Sequence, residues 1–306
     1  MTTTDVLGYG VLAVDDMIYV DSYPPPDGKA PVRGRRRQGG GTVSCGLVTA
    51  ARLGARAAAL GRLGDNEMSD FVRTHMGEAG VDLSRIVHHP DAGPVWCTIV
   101  VAADTGKRSI YGDYAFIRPV EPDEMRPEWF DGVKLLLVDH MHPPGIVAAA
   151  NIARAKGIPV VSDIERKNAW LPEIRALVDH WVSSAESALP NTGCDDPREA
   201  CEALIRTGWH RTAVVTAGDR GCWWCTADDP HPRHEPAFDV RPVDTTGCGD
   251  VFHGAFCYAL TRGWPMERVI PFCASAAAVK ATRTGGWAAV PTLSEVEQML
   301  ASGRRR

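Results

Sequence analysis

Apolar positions in this chain come in short runs broken by glycine and proline, and the runs alternate between two patterns. One is compact and rich in Val, Leu and Ala. Segments 6–11, 17–20, 57–60, 95–102, 108–111, 133–138, 160–162 and 212–216 carry it and predict strands. The other is longer, with small and apolar residues at helical spacing. It predicts helices over 43–53, 69–80, 145–156, 197–207, 249–261, 269–282 and 294–302. Gly54 and Gly80 stand where a helix needs a stop. Asp104-Thr105-Gly106 reads as the turn between two of the strands.

From residue 133 onward strand and helix take turns. That order predicts an α/β fold, a mostly parallel central sheet covered by helices on both faces. The strand groups near 17–38 and 92–118 stand outside the alternation and predict a small β-sheet lid. Between Pro24 and Gly41 the composition turns to proline and arginine, an excursion from the main body. Sites of such sheets lie at the carboxyl ends of the strands, where a lid excludes water during a transfer. No repeat or low-complexity linker divides the chain, so a single domain over 1–306 is expected.

Composition narrows the class of function. A hydrophobic content of 44% with 23% charged residues is that of an ordinary globular protein. The net charge of −5 argues against nucleic-acid binding through global charge. Basic runs occur at Arg33 to Arg37, which read as a charged lid face, and at Arg304 to Arg306, which reads as a solvated tail. No apolar run is long enough to span a membrane, and the N-terminal residues lack the pattern of a signal peptide. Nine cysteines without disulfide-like spacing fit reduced thiols in the cytoplasm. Cys222 and Cys225, with His231 and His234 nearby, ask for a metal reading. Their segment reads as a strand, however, where residues three apart point to opposite faces.

The chemistry concentrates in Asp244-Thr245-Thr246-Gly247-Cys248-Gly249-Asp250. Glycines bracketing a turn before an apolar helix offer free backbone N–H groups and the positive end of the helix dipole. Asp250, at the mouth of that turn, sets a candidate general base beside a candidate anion hole, the pairing that phosphoryl transfer needs. A tight turn with a capping carboxylate is the structural alternative. No G-x-x-x-x-G-K-[ST] is present, which disfavours a P-loop kinase.

Three further motifs stand in order before the heptad: Gly39-Gly40-Gly41, Gly61-Arg62-Leu63-Gly64-Asp65 and Val215 to Gly221. With these the chain resembles, over nearly its whole length, the PfkB/ribokinase family of carbohydrate kinases. The resemblance implies a ribokinase-like three-layer sandwich with a small β-sheet lid, and an enzyme that uses ATP and Mg2+. It implies that Asp250 is the base and that the amides of Gly247, Cys248 and Gly249 form the anion hole. Cys248 stands where the family usually has alanine, and its thiol is at a helix N-terminus, a position that favours reactivity. Asp15, with Asp16 as competitor, matches the carboxylate that holds sugar hydroxyls. Gly40 and Gly41 match the backbone that sugar approaches, and Ser44 stands where many members have asparagine. Thr216, Gly218 and Gly221 match the nucleotide site, and Glu186 the magnesium-linked carboxylate. Asp244 and the 283–286 segment match positions that hold a monovalent cation, K+, in many members.

Ketoses, ribose, nucleosides and keto-deoxy acids all have kinases in this family, so the acceptor needs further marks. Asp27-Gly28-Lys29, the triple glycine, Ala51 to Ala55 and Thr282 to Gly286 look like the sulfofructose kinase branch. That likeness implies transfer to 6-deoxy-6-sulfofructose, giving the 1-phosphate. Lys29, Arg108 and His140 are the candidates for reading its sulfonate. A ribokinase, fructokinase or nucleoside kinase is the alternative within the family, and a non-catalytic sugar or nucleotide sensor the alternative outside enzymes. A lid with open sheet edges also predicts a homodimer.

Overall fold

The computed structural model describes residues 3–104 and 108–306. The expected turn at Thr105 and Gly106 lies outside the described residues. The chain opens with β1 (Thr4–Tyr9), β2 (Ala13–Val20), β3 (Val32–Gly40), α1 (Thr42–Arg52), β4 (Ala57–Leu63), α2 (Glu67–Glu78) and β5 (Asp82–His88). It continues through β6 (Val95–Ala102), β7 (Arg108–Asp113), β8 (Val133–Asp139), α3 (Pro143–Ala155), β9 (Val160–Asp163), α4 (Leu171–Leu177) and β10 (His180–Ser184). The last third holds α5 (Ala185–Thr192), α6 (Pro197–Arg206), β11 (Thr212–Thr216), β12 (Cys222–Thr226), β13 (Arg233–Glu235), α7 (Cys248–Thr261), α8 (Met266–Ala281) and α9 (Leu293–Ser302).

Nine strands form one sheet in the order β13-β12-β11-β10-β9-β8-β1-β4-β5. Every neighbouring pair from β11 to β5 is parallel, and only the β11–β12 and β12–β13 pairs are antiparallel, so β12 alone runs against the rest. Alternation along the central strands builds two cores. Val6, Leu135 and Leu137 point to one face, against α1, α7 and α8. Leu7, Leu136 and Val138 point to the other, against α3, α4 and α6. Each such fully buried side chain contributes about 1.5–3 kcal/mol. The fold is thus a three-layer α/β sandwich, as expected. No helix among the described residues is long and apolar enough to cross a membrane.

A second sheet, order β3-β2-β6-β7, is the lid. Its β2–β6 pair is parallel and its other two pairs antiparallel. The proline- and arginine-rich excursion is therefore half loop and half strand, since 32–40 pairs with β2. Five elements, β5, α4, β10, α5 and β13, have no counterpart among the expected segments. Cys222 and Cys225 do lie on opposite faces of β12, one in each core. Cys225 Sγ is instead 3.4 Å from Cys201 Sγ.

Candidate active site

The parallel strands β9, β8 and β1 are neighbours, and their carboxyl ends carry Asp163, Asp139 with His140, and Gly10. Asp139 is fully buried and organises this edge. Its Oδ2 accepts from the Val11 amide at 2.6 Å and the Thr42 hydroxyl at 2.6 Å, and its Oδ1 from the Met141 amide at 2.9 Å. The end of β1, the start of α1 and the end of β8 are thereby pinned together.

Asp15 enters from the lid. It is buried, and burial pushes its carboxyl up to about 6, with the charge of Asp16 adding and Cys97 and Arg108 opposing. Strand alternation separates it from Asp16, which pairs with Arg37 at 2.7 Å and accepts from the Trp96 indole at 2.8 Å. Arg37 first, then Trp96, holds Asp16 below the usual carboxylate range. Asp15 packs against Gly40, where a Cβ would stand 2.2 Å from its Oδ2. Gly41 is the N-cap of α1 with φ of 88°. The Ser44 hydroxyl is buried among the carbonyls of Gly40, Val11 and Gly41. It fixes this turn, with its proton directed at backbone carbonyls.

Gly247 caps α7 in the left-handed region, φ 78°, and a Cβ there would sit 3.7 Å from Asp250 Oδ2. The Cys248 amide donates to the Thr245 carbonyl at 3.2 Å. Two of the three expected anion-hole amides, those of Gly247 and Gly249, therefore have no acceptor among the described residues, and the third is engaged. Burial pushes the Cys248 thiol up to about 11, against the pull of Lys280 and Arg108. Here desolvation outweighs the helix dipole, in line with a small residue in a tight turn, the reading favoured over a reactive thiol.

Asp250 is raised well above the carboxylate range, first by burial, then by the charges of Asp163 and Glu165, with His253 opposing and Asp15 adding. Asp163 is raised in the same direction by burial first. Its Oδ2 lies 3.3 Å from His253 Nδ1, but that ring N–H points at the Gly249 carbonyl at 2.8 Å. That oxygen finds no hydrogen-bond partner among the described residues. His253 Nε2 is 3.2 Å from the Val182 carbonyl, so both ring nitrogens lie against backbone carbonyls. Sequence reasoning missed both residues. A signal existed for each: a carboxylate ending a parallel strand, and a histidine one helical turn past the base.

Beside the turn lies a largely apolar cavity of about 310 Å³. It brings Thr216, Gly218 and Gly221 together with Cys248 and Gly249, under Phe252 and Ala278. The chain's end lines it too. Arg306 reaches Asp219 at 3.3 Å, and Arg305 lies 3.4 Å over the Phe238 ring. Of the expected solvated tail, Arg304 is exposed, and Arg306 is exposed yet lines the edge of this cavity.

The remaining candidates are placed less centrally. Arg108 is exposed at the start of β7, yet its charge reaches Asp15 and Cys248. His140 is half-buried, and its Nδ1 finds no partner. Glu186 is exposed in the first turn of α5. Lys29 is exposed in the loop between β2 and β3, and no recorded contact ties it to the site. Asp244 accepts from the Thr246 amide at 2.8 Å and the Gly285 amide at 3.0 Å. Burial pushes its carboxyl up, but those two amides and Lys280 outweigh it and hold the group below its ordinary value.

A buried carboxyl beside a glycine-capped helix N-terminus, a second buried carboxyl on the lid, and an apolar cavity alongside make up the candidate site on a three-layer α/β fold. Residues 5–293 match the pfkB family carbohydrate kinase model, and the chain belongs to that family. It is an ATP-dependent kinase that transfers phosphate to a sugar hydroxyl. The chain is 28% identical to the ATP-dependent ribose-1-phosphate kinase of Halopiger xanaduensis, over 96% of this chain and 97% of that one. Among solved structures it is similar to a putative ribokinase from Agrobacterium tumefaciens, with a TM-score of 0.89 and 28% identity over 98% of both chains. A putative ribokinase II from E. coli, in complex with ATP and Mg2+, has the same fold, with a TM-score of 0.85 and 18% identity over 98% of this chain and 99% of that one.

Proposed function

We propose that Asp250 takes the proton of a sugar hydroxyl as that oxygen attacks the γ-phosphate of ATP. The new O–P bond forms as the bond to ADP breaks, and the proton passes to the carboxylate. One observation carries the reading: two buried carboxyls, Asp250 on α7 and Asp15 on the lid, lie close enough for one charge to act on the other. Asp15 holds the sugar, and burial raises the affinity for protons that Asp250 brings to the role of base. The amides of Gly247 and Gly249 meet the charge that spreads over the phosphoryl oxygens. The cavity against Thr216, Gly218 and Gly221 takes the nucleotide, with Arg305 and Arg306 closing its rim. Asp163 Oδ2, buried without a hydrogen bond, is the kind of oxygen a hard cation seeks. With Glu186 from the neighbouring strand end acting through water, it would hold Mg2+, which supplies charge neutralisation on the phosphates.

For the acceptor we propose a ketose with an anionic end, 6-deoxy-6-sulfofructose as the particular sugar. The charge of Arg108 near Asp15 and the unpartnered Nδ1 of His140 support it; Lys29 is the weaker candidate. A ribose-type or nucleoside acceptor is the second reading, favoured by the names of the relatives. Scoring ADP release on 6-deoxy-6-sulfofructose, ribose, ribose 1-phosphate, fructose, fructose 6-phosphate and adenosine decides. The sulfonated sugar should give the highest kcat/KM, and any other acceptor exceeding it overturns the assignment. Binding of ATP and sugar with no ADP release would return the sensor reading. We further propose a homodimer through the lid, whose edge strands leave Val32, Ile110 and Tyr111 exposed. A monomer mass by light scattering would refute it.

A further inference from the structure

Lys280 ends α8 in the run Ala276-Ala277-Ala278-Val279-Lys280-Ala281, and its side chain is fully buried. A buried ammonium is costly unless oxygens replace its water. Three do. Its Nζ donates to the Asp244 carbonyl at 3.0 Å and is 3.5 Å from the Arg283 carbonyl, with Asp244 Oδ2 at 4.0 Å. These oxygens belong to the two segments, at 244 and 283–286, on which the family resemblance sets a monovalent cation. Potassium binds by exchanging its water for carbonyl oxygens of this kind. The ammonium already takes them, so the ion and the lysine cannot share the cage. Residues of this chain therefore do not fit a bound K+.

We propose that Lys280 is a built-in monovalent cation and that this enzyme works without potassium. The lysine stands where the charge is needed. Its Cε lies 4.0 Å from where a Cβ on Gly247 would be, directly beneath the anion-accepting turn. Asp244 is gripped from one side by the ammonium and from the other by the Gly285 amide. The segment feeding the N-terminus of α7 is thereby locked to the segment after α8. The lysine's charge also acts on Cys248 and on Cys45, which packs under the turn. A covalently tethered cation cannot dissociate, so the geometry of the Gly247 and Gly249 amides becomes independent of the surrounding salt.

The consequence for turnover rests on the kinase reading, but occupancy of the cage does not, so the decisive measurement is thermal unfolding without substrate. The protein is compared in choline chloride and in KCl at equal ionic strength. A site that K+ fills to many times its dissociation constant raises Tm by several degrees. The wild-type Tm should be the same in both salts, and affinity for a non-hydrolysable ATP analogue should agree within about twofold, a difference too small for linked ion binding. Lys280→Ala opens the cage, and its Tm should rise in KCl but not in choline. A K+-dependent rise in the wild-type Tm, or a fivefold or larger gain in nucleotide affinity with K+, on the order of 1 kcal/mol of coupling, overturns the proposal. The wild-type comparison decides alone if the variant does not fold. Failure of every sugar to accept phosphate would sink the kinase reading and leave this assignment standing.

Discussion

Replacing Asp15 by asparagine should make the fold more stable and the site worse. Burial raises the folded-state carboxyl of Asp15 from 3.8 to about 6. At about 1.36 kcal/mol per pH unit, the charged form costs the folded protein about 3 kcal/mol at neutral pH. The group's proton is fully retained in both states below pH 4, so no penalty is present there. Between pH 4 and 6 the folded state holds the proton longer than the unfolded chain, and stability falls as pH rises. Above about 6 the whole cost remains. Asn keeps the shape and removes the charge, so Asp15→Asn should gain about 1–3 kcal/mol at pH 8, the upper end being a bound because the amide still needs partners. For a chain of this size that is a rise of about 2–6 °C in Tm, vanishing near pH 4. Calorimetry at the two pH values reads it directly. Sugar affinity should fall about 10- to 100-fold, the worth of a charged hydrogen bond. In the wild type the KM for sugar should climb as pH drops below about 6. A Tm for Asp15→Asn below wild type at pH 8, or a difference that ignores pH, would refute this reasoning.

Other perturbations test the rest of the site. Asp250→Asn should bind the ATP analogue as wild type does while turnover falls by about two to four decades, the usual share of a general base; near-normal turnover removes Asp250 from that role. Gly40→Ala would thrust a Cβ to within 2.2 Å of Asp15 Oδ2. It should raise the KM for sugar at least tenfold, about 1.4 kcal/mol of binding, with the KM for ATP unchanged. Equal damage to both constants would show that the lid as a whole had been disturbed.

Much of the fold was legible because the chain's period carries it. Segments 95–102 and 212–216 were read to the residue, and most helices to within a turn. The region from 164 to 195 was not. There α4 and α5 are short and begin or bend at Pro172 and Pro190, and β10 holds only five residues. β5 is half-exposed and carries no clean alternation. Of the site, the heptad was plain because glycines before a helix have few other uses. The choice between Asp15 and Asp16 was not plain, since adjacent strand positions differ only by which face meets the site. Lys280 left a faint mark, a charge that follows the uncharged run 269–279 of its helix.

By itself the sequence determined the layered architecture, the turn before α7 and the candidate for the base, because these rest on local period and backbone conformation. Only the tertiary structure decided what each group is worth. It buried the Cys248 thiol, set the Ser44 hydroxyl among backbone carbonyls, and brought Arg306 to the edge of the cavity. It also set Asp163 and Lys280, from distant stretches of chain, around the turn and its neighbour His253. Burial and charge act through space, and distances between segments far apart in sequence exist only once the chain has folded.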